Sequence, residues 1–375
     1  MAETLWGHPP LLPRLCHSGS VQTPNSGSIA WVTWLRIVAV YAVVMIHTAG
    51  STAAGTGSTT SPDGWVARAL DMSFMWAVPV FVMLSGTLGL DPGHFRGSAH
   101  YLRKRAWRLV PPLLFWNAVY LAYAIATRPN WGSGWQDAIG LVLIGDVAPH
   151  LYFFWIVLGL SVVTPVLIPW LAQLPRRGWV IAAVVAWSIP ILSSWPLLPG
   201  GQSLGVHESA WTWWIPYLGA YLMGGALREV RLPRWAVGPA ALVAIGLMAL
   251  LTWQWQNPAV PAWLQDWFPA NYYGLTVAVL SCLVFLLGQA VFRPDGVLRA
   301  LTRPRVRRYA DPVGRATLGI FALHFLVLVV GTTTGVLGRP ETTWPVVLLR
   351  FVIVSALTTA IVLVFRKVPV ARKVL

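Results

Sequence analysis

Apolar runs of about twenty residues, separated by short stretches rich in Pro, Gly, Arg and Trp, recur along the chain from position 30 onward. About twenty helical residues, at 1.5 Å each, cross the roughly 30 Å hydrocarbon core of a bilayer. The pattern predicts ten membrane helices, over residues 30–50, 71–90, 109–127, 150–172, 179–198, 211–228, 235–255, 271–292, 314–330 and 344–365. The run at 136–144 is too short to span and predicts an interfacial or re-entrant helix. Residues 1–29 mix Pro, Ser, Gly, Asn and Thr with isolated apolar residues and predict a flexible cytoplasmic tail. That stretch lacks a signal peptide's charged start and continuous apolar segment, so the first membrane helix is expected to act as its own insertion signal. Residues 30–366 then form one all-α transmembrane domain, followed by a short basic tail at 367–375.

Composition agrees with this class and narrows it. With 56% hydrophobic and 10% charged residues and a mean hydropathy of +0.63, the chain is far poorer in charge than soluble domains are. A formal charge of +15 would suit nucleic acid only on a solvated basic domain, and no such domain is predicted. The basic residues instead fall on one set of loops, including Arg103, Lys104, Arg105, Arg108, Arg176, Arg177, Arg228, Arg231, Arg234 and the stretch from Arg293 to Arg315. The alternate loops hold Arg68, Arg128 and Arg339. By the positive-inside rule the first set is cytoplasmic, which places both termini inside a multi-pass protein of the plasma membrane. Trp and Tyr residues such as Trp131, Trp213, Tyr272 and Tyr273 gather at the opposite helix ends as an interfacial belt. Cys16 and Cys282 form neither a CxxC pair nor a disulfide framework, so no metal site is expected.

The first predicted helix carries the candidate chemistry. WLRIVAVYAVVMIHTAG, residues 34–50, contains two ionisable residues, Arg36 and His47. Eleven positions apart, they lie within roughly 20° of one helix face and about 16 Å apart along the axis. An intramembrane Arg usually faces the bundle interior or a wet cavity. The alternative is that Arg36 snorkels to the cytoplasmic headgroups while His47 caps the other end. His150 opens the fourth helix at about the depth of His47, and the two imidazoles could share an outer cavity. His324 lies mid-span in LGIFALHFLVL. Singly, His150 and His324 read more simply as neutral histidines bonded to neighbouring helices. Ser85 and Gly86 are small residues suited to close helix packing.

In YLRKRAWRLVPPLLFW, residues 101–116, Arg105 and Arg108 share a face of a basic turn. Such a pair can clamp phosphates through charge-assisted hydrogen bonds. It can also serve only to orient the span and to meet anionic membrane lipids. For the cluster from Arg303 to Arg308, lipid contact or topology is the preferred reading.

Five features together resemble the membrane acyltransferase 3 family: Leu35-Arg36 with His47, VPVFVMLSG at 78–86, the RxxR of Arg105 and Arg108 running into a Pro-Pro pair, HLYFFWIVLGLSVVTPVL at 150–167, and LGIFALHFLVL at 318–328. They occur in the family's order. The chain departs from the family's wording in LSGTLGL, where an aromatic more often follows the Gly, and in HLYFF, where Trp is commoner, and both departures bear on substrate shape rather than on the polar residues.

The resemblance implies transfer of an acyl group, commonly acetyl, from cytoplasmic acyl-CoA to a hydroxyl on a sugar, glycan, glycolipid, cell-envelope component or small metabolite. Acyl-CoA would be a co-substrate, with no tightly bound cofactor. By motif position Arg36 and His47 would be the essential pair, with Arg105 and Arg108 supporting the donor. Ser85 would join Arg105 and Arg108 at the donor, with His150, His324 and Tyr41 as supporting polar groups. A neutral imidazole, with a reference pKa near 6.5, suits removal of the acceptor proton by His47. An acyl-histidine intermediate is the rival route. A transporter or flippase of a glycan, lipid or metabolite would use the same cavity with no acyl donor. A sensor without turnover would leave Arg36 and His47 unexplained.

Overall fold

The computed structural model describes residues 30–55, 60–127, 135–199, 201–205, 208–255, 257–339 and 341–375. The tail at 1–29, Cys16, Arg128 and Trp131 lie outside these residues. The described chain is helical throughout, and apart from an isolated bridge between Leu198 and Gln202 it contains no strand.

Thirteen α-helices follow in order: α1 (Ala30–Ala53), α2 (Pro62–Met72), α3 (Ala77–Gly89), α4 (Ser98–Thr127), α5 (Trp135–Ile144), α6 (Tyr152–Ala172), α7 (Arg176–Ser193), α8 (Leu218–Leu227), α9 (Arg234–Gln254), α10 (Ala262–Trp267), α11 (Leu275–Val291), α12 (Pro304–Thr333) and α13 (Trp344–Phe365). Among the described residues seven stretches are long and apolar enough to cross a membrane, with α2 and α3 counted as one. Helices stand in all ten predicted stretches, but α8 and α11, at 10 and 17 residues, are shorter than spans, and α7, which opens on two arginines, is not among the seven. The chain is a multi-pass membrane protein.

Two departures from the predicted spans have local causes. The expected start at 71 falls inside a broken helix. Ser61 caps α2 by accepting from the Gly64 N–H at 3.0 Å, and turns at 73–76 then separate α2 from α3. Pro79 sits in the first turn of α3, where its missing N–H costs nothing, so α3 begins afresh there. The predicted span at 211–228 is helical only from Leu218, because residues 210–217 form successive turns and Pro216 cannot donate to a ladder.

The core is built on α1 and the α2–α3 pair, with 61% and 72% of their apolar stretches buried, against 11% in α9 and 28% in α13. α3 packs on α8 through two glycines. A Cβ on Gly86 would stand 1.9 Å from the Tyr221 carbonyl oxygen, and one on Gly224 would stand 1.9 Å from the Met83 carbonyl oxygen. Backbone therefore meets backbone, as small-residue membrane interfaces permit.

Two arginines expected on loops or overlooked are buried. Arg68 lies within α2, not in a loop, with its guanidinium 4.4 Å over the Trp65 ring. Arg350, in α13, donates to the Leu337 carbonyl at 3.2 Å and to the Arg339 carbonyl, holding the 334–339 turn against the helix. Such pairing lets each charge remain inside the bundle.

Candidate active site

Two cavities open inside the bundle. The first, about 500 Å³, is basic: Arg36 of α1, Arg96, Lys104, Arg105 and Arg108 face it together with Asp91, His94, His100 and Tyr101. Ser85 and Phe81 of α3, Phe153 of α6, and Thr317, Leu318 and Phe321 of α12 add to the wall. Arg36, Arg105 and Arg108 make no salt bridge among the described residues. The Arg105 Nε donates instead to the Tyr101 hydroxyl at 3.2 Å. Pro111 and Pro112, inside α4, remove the two N–H groups that would bond the Trp107 and Arg108 carbonyls, loosening the ladder beside the cavity. Three cations without acidic partners, converging on one cavity, form a receptor for a polyanion.

The second cavity, about 440 Å³, is aromatic. His47, Val43 and Ile46 of α1 face it with His150, Tyr152, Glu208, Trp213, Tyr217, Asn271, Tyr272 and Tyr273. Tyr152 and Trp213 stack at 4.5 Å between centroids, and the Tyr273 hydroxyl donates to Glu208. The eleven-residue spacing on α1 thus delivers Arg36 to one cavity and His47 to the other.

Three imidazoles meet at the wall of the aromatic cavity. Ring centroids lie 5.9 Å apart for His47 and His150, 5.2 Å for His47 and His324, and 5.1 Å for His150 and His324. His324 Nδ1 donates to the Phe321 carbonyl at 2.6 Å, and His150 Nε2 donates to the Ala322 carbonyl at 3.2 Å. These bonds assign the tautomers, since a carbonyl can only accept. In the neutral rings His324 Nε2 and His150 Nδ1 are left as acceptors, buried and without a hydrogen-bond partner among the described residues. His47 itself is half-buried and faces the cavity. The cluster can therefore receive a proton at His47 with two further basic nitrogens beside it. Among the described residues no group of three or more His, Cys, Asp or Glu is arranged to hold a metal ion.

The predicted residues sort clearly. Arg36, Arg105, Arg108 and Ser85 share the basic cavity, and the Ser85 hydroxyl donates back to the Phe81 carbonyl at 3.0 Å. His47 and His150 share the aromatic cavity, and His324, fully buried, backs them. Tyr41 does not belong to this group: its hydroxyl pairs with Thr359 Oγ1 on α13 at 2.8 Å, and it lines neither cavity. Arg307 and Arg308 also lie outside both cavities, the first paired with Asp311 at 3.3 Å.

Sequence reasoning missed Tyr120. Its hydroxyl donates to the Ala322 carbonyl at 2.8 Å and accepts from the Leu326 N–H at 2.9 Å, packing α4 against the histidine cluster. One aromatic in an apolar run carries no mark of such a role. Phe321 was missed for the same reason, although it lies three positions before His324, on the same helix face.

A family model described as an acyltransferase domain matches residues 29–367, nearly the whole chain. No curated protein and no solved structure matches it.

Proposed function

Given that the chain belongs to the membrane acyltransferase 3 family and is a membrane acyltransferase, we propose that it moves an acyl group, acetyl in the simplest case, from acyl-CoA in the basic cavity to a hydroxyl in the aromatic cavity. The observation that carries this reading is the division of labour along α1, with Arg36 in one cavity and His47 in the other. Acyl-CoA is a phosphate-bearing polyanion on a long thin arm. Its phosphates suit Arg105 and Arg108, and Arg36 orients the arm toward His47, about 16 Å further along the helix.

His47 takes the proton of the acceptor hydroxyl as its oxygen attacks the thioester carbonyl. The carbon–sulfur bond breaks, the acyl group stays on the acceptor oxygen, and CoA leaves as a thiolate that regains the proton from His47. Direct transfer needs no covalent intermediate, and His47, facing the acceptor cavity, stands where it can take the acceptor's proton; label retained on the protein is what an acyl-histidine would give. The stacked Tyr152 and Trp213 offer flat apolar faces to a sugar ring, and Glu208 and Asn271 offer polar contacts to its hydroxyls. The acceptor is accordingly a sugar, a glycolipid or an amphiphilic metabolite. The basic cavity faces the cytoplasm, the source of acyl-CoA, with both termini on that side and the protein in the plasma membrane.

The test is consumption of radiolabelled acetyl-CoA by protein in nanodiscs with host lipid and glycan extract. Label appearing on an extract component supports the reading. Label retained on the protein would move the mechanism to an acyl-enzyme. Absence of donor binding and turnover, with longer acyl-CoAs also tried, would favour a transporter of the same cavity's ligand.

A further inference from the structure

On the donor and acceptor assignment above, the acyl group begins in one cavity and the base stands in the other. The boundary between them runs through α3, α6 and α12. On α6, Tyr152 faces the aromatic cavity and the next residue, Phe153, the basic one; on α3 the boundary falls between Val78 and Phe81. Phe321 alone among the described lining residues faces both. Its ring is 3% exposed, lies 4.9 Å from Phe153 on the basic side, and lies 5.5 Å from His150 and 6.0 Å from His324 on the other.

A second, independent feature sits next to it. The Tyr120 hydroxyl of α4 accepts from the Leu326 N–H and donates to the Ala322 carbonyl, two groups one helical turn apart on α12. A side chain that bonds into a helix ladder is a recognised origin of bends. Tyr120 thus shares the α12 ladder beside Phe321, whose ring alone among the described lining residues faces both cavities.

The geometry points to Phe321 as a movable septum, whose ring swings aside to admit the acyl group to His47 and otherwise keeps water in the aromatic cavity off the thioester. Without it, a water molecule reaching the carbonyl carbon would break the carbon–sulfur bond, giving the free carboxylic acid and CoA thiol, with His47 carrying the proton from water to sulfur. A barrier to water at a reactive group is a normal requirement of transferases, because hydrolysis otherwise competes with transfer. A Phe ring also limits the girth of whatever passes beside it.

The experiment compares wild type, Phe321→Ala, Phe321→Leu, Phe321→Trp and Tyr120→Phe in nanodiscs without acceptor. It follows free CoA thiol and carboxylic acid from acetyl-CoA and from octanoyl-CoA, with binding of labelled acetyl-CoA measured in parallel. Phe321→Ala is expected to hydrolyse acetyl-CoA about tenfold faster than wild type and to gain octanoyl-CoA hydrolysis, with Phe321→Leu between the two should Ala impair folding. Phe321→Trp and Tyr120→Phe are expected to hydrolyse no faster than wild type. Equal hydrolysis in Ala, Leu and wild type, with donor binding retained, would overturn the septum while leaving the donor assignment intact. A wild type that binds no acyl-CoA would overturn the donor assignment and the septum with it.

Discussion

The imidazoles of His47 and His324 lie 5.2 Å apart between centroids, brought together by the packing of α1 against α12. Because His324 spends its Nδ1 proton on the Phe321 carbonyl, the nitrogen it has left is a bare acceptor beside the proposed base. His324→Ala is expected to lower turnover by about ten- to a hundredfold, less than loss of His47, with acyl-CoA binding unchanged, since its effect is on proton handling alone. Steady-state kinetics with a parallel binding isotherm checks the split between kcat and KM.

Arg105 stands in the basic cavity without an acidic partner. A guanidinium fork holds a phosphate at two points, whereas an ammonium holds it as a point charge. Arg105→Lys is therefore expected to raise KM for acyl-CoA about tenfold at little cost in kcat, the size of one charge-assisted hydrogen bond. Raising the salt concentration should weaken donor binding about equally in wild type and variant, because the charge is kept.

Asp91 turns the chain from α3 toward α4 at the rim of the basic cavity, held by His94 at 2.9 Å, the Gly93 N–H at 3.0 Å and Arg228 at 3.6 Å. Burial alone would raise its carboxyl, but those hydrogen bonds and the Arg228 charge outweigh it and hold the group below its usual 3.8. A carboxyl depressed in the fold stabilises it fully above the unfolded value and loses that contribution as pH falls through the folded one. Its contribution to fold stability should accordingly be constant from neutral pH down to about 4. Asp91→Asn, which keeps an acceptor for the Gly93 N–H but loses the charge facing Arg228, should lower the unfolding temperature at neutral pH, as thermal unfolding in detergent would reveal.

The contact of α3 with α8 leaves no room at Gly86. Gly86→Ala forces its methyl onto the Tyr221 carbonyl, so the helices must part, at a cost of about 1–3 kcal/mol. A lower unfolding temperature in detergent, shared by Gly224→Ala, is the expected result. Variants as stable as wild type would mean that the two backbones are not so close.

The apolar runs made the all-helical membrane fold legible, and Arg36 and His47 stood out because two ionisable residues interrupted one of those runs. The number of spans was less legible. The turns at 73–76 lie inside one continuous apolar stretch, and those at 210–217 fall in a Trp-rich run that reads like the outer end of a span. The pairing of His324 with His47 needed α12 to dock on α1, a contact that no local pattern encodes. Tyr41 shares α1 with the site but is rotated toward α13, where Thr359 takes its hydroxyl. Phe321 and Tyr120 were invisible because their roles come from position: one ring between two cavities, and one hydroxyl inside another helix's ladder.

The most direct test of the account compares CoA thiol release from acetyl-CoA by wild type and by His47→Ala, both shown to be folded and both supplied with host extract. The account predicts that His47→Ala binds the donor normally, because His47 lies outside the basic cavity, yet turns it over about a hundred- to ten-thousandfold more slowly. Turnover by His47→Ala equal to that of wild type would contradict it.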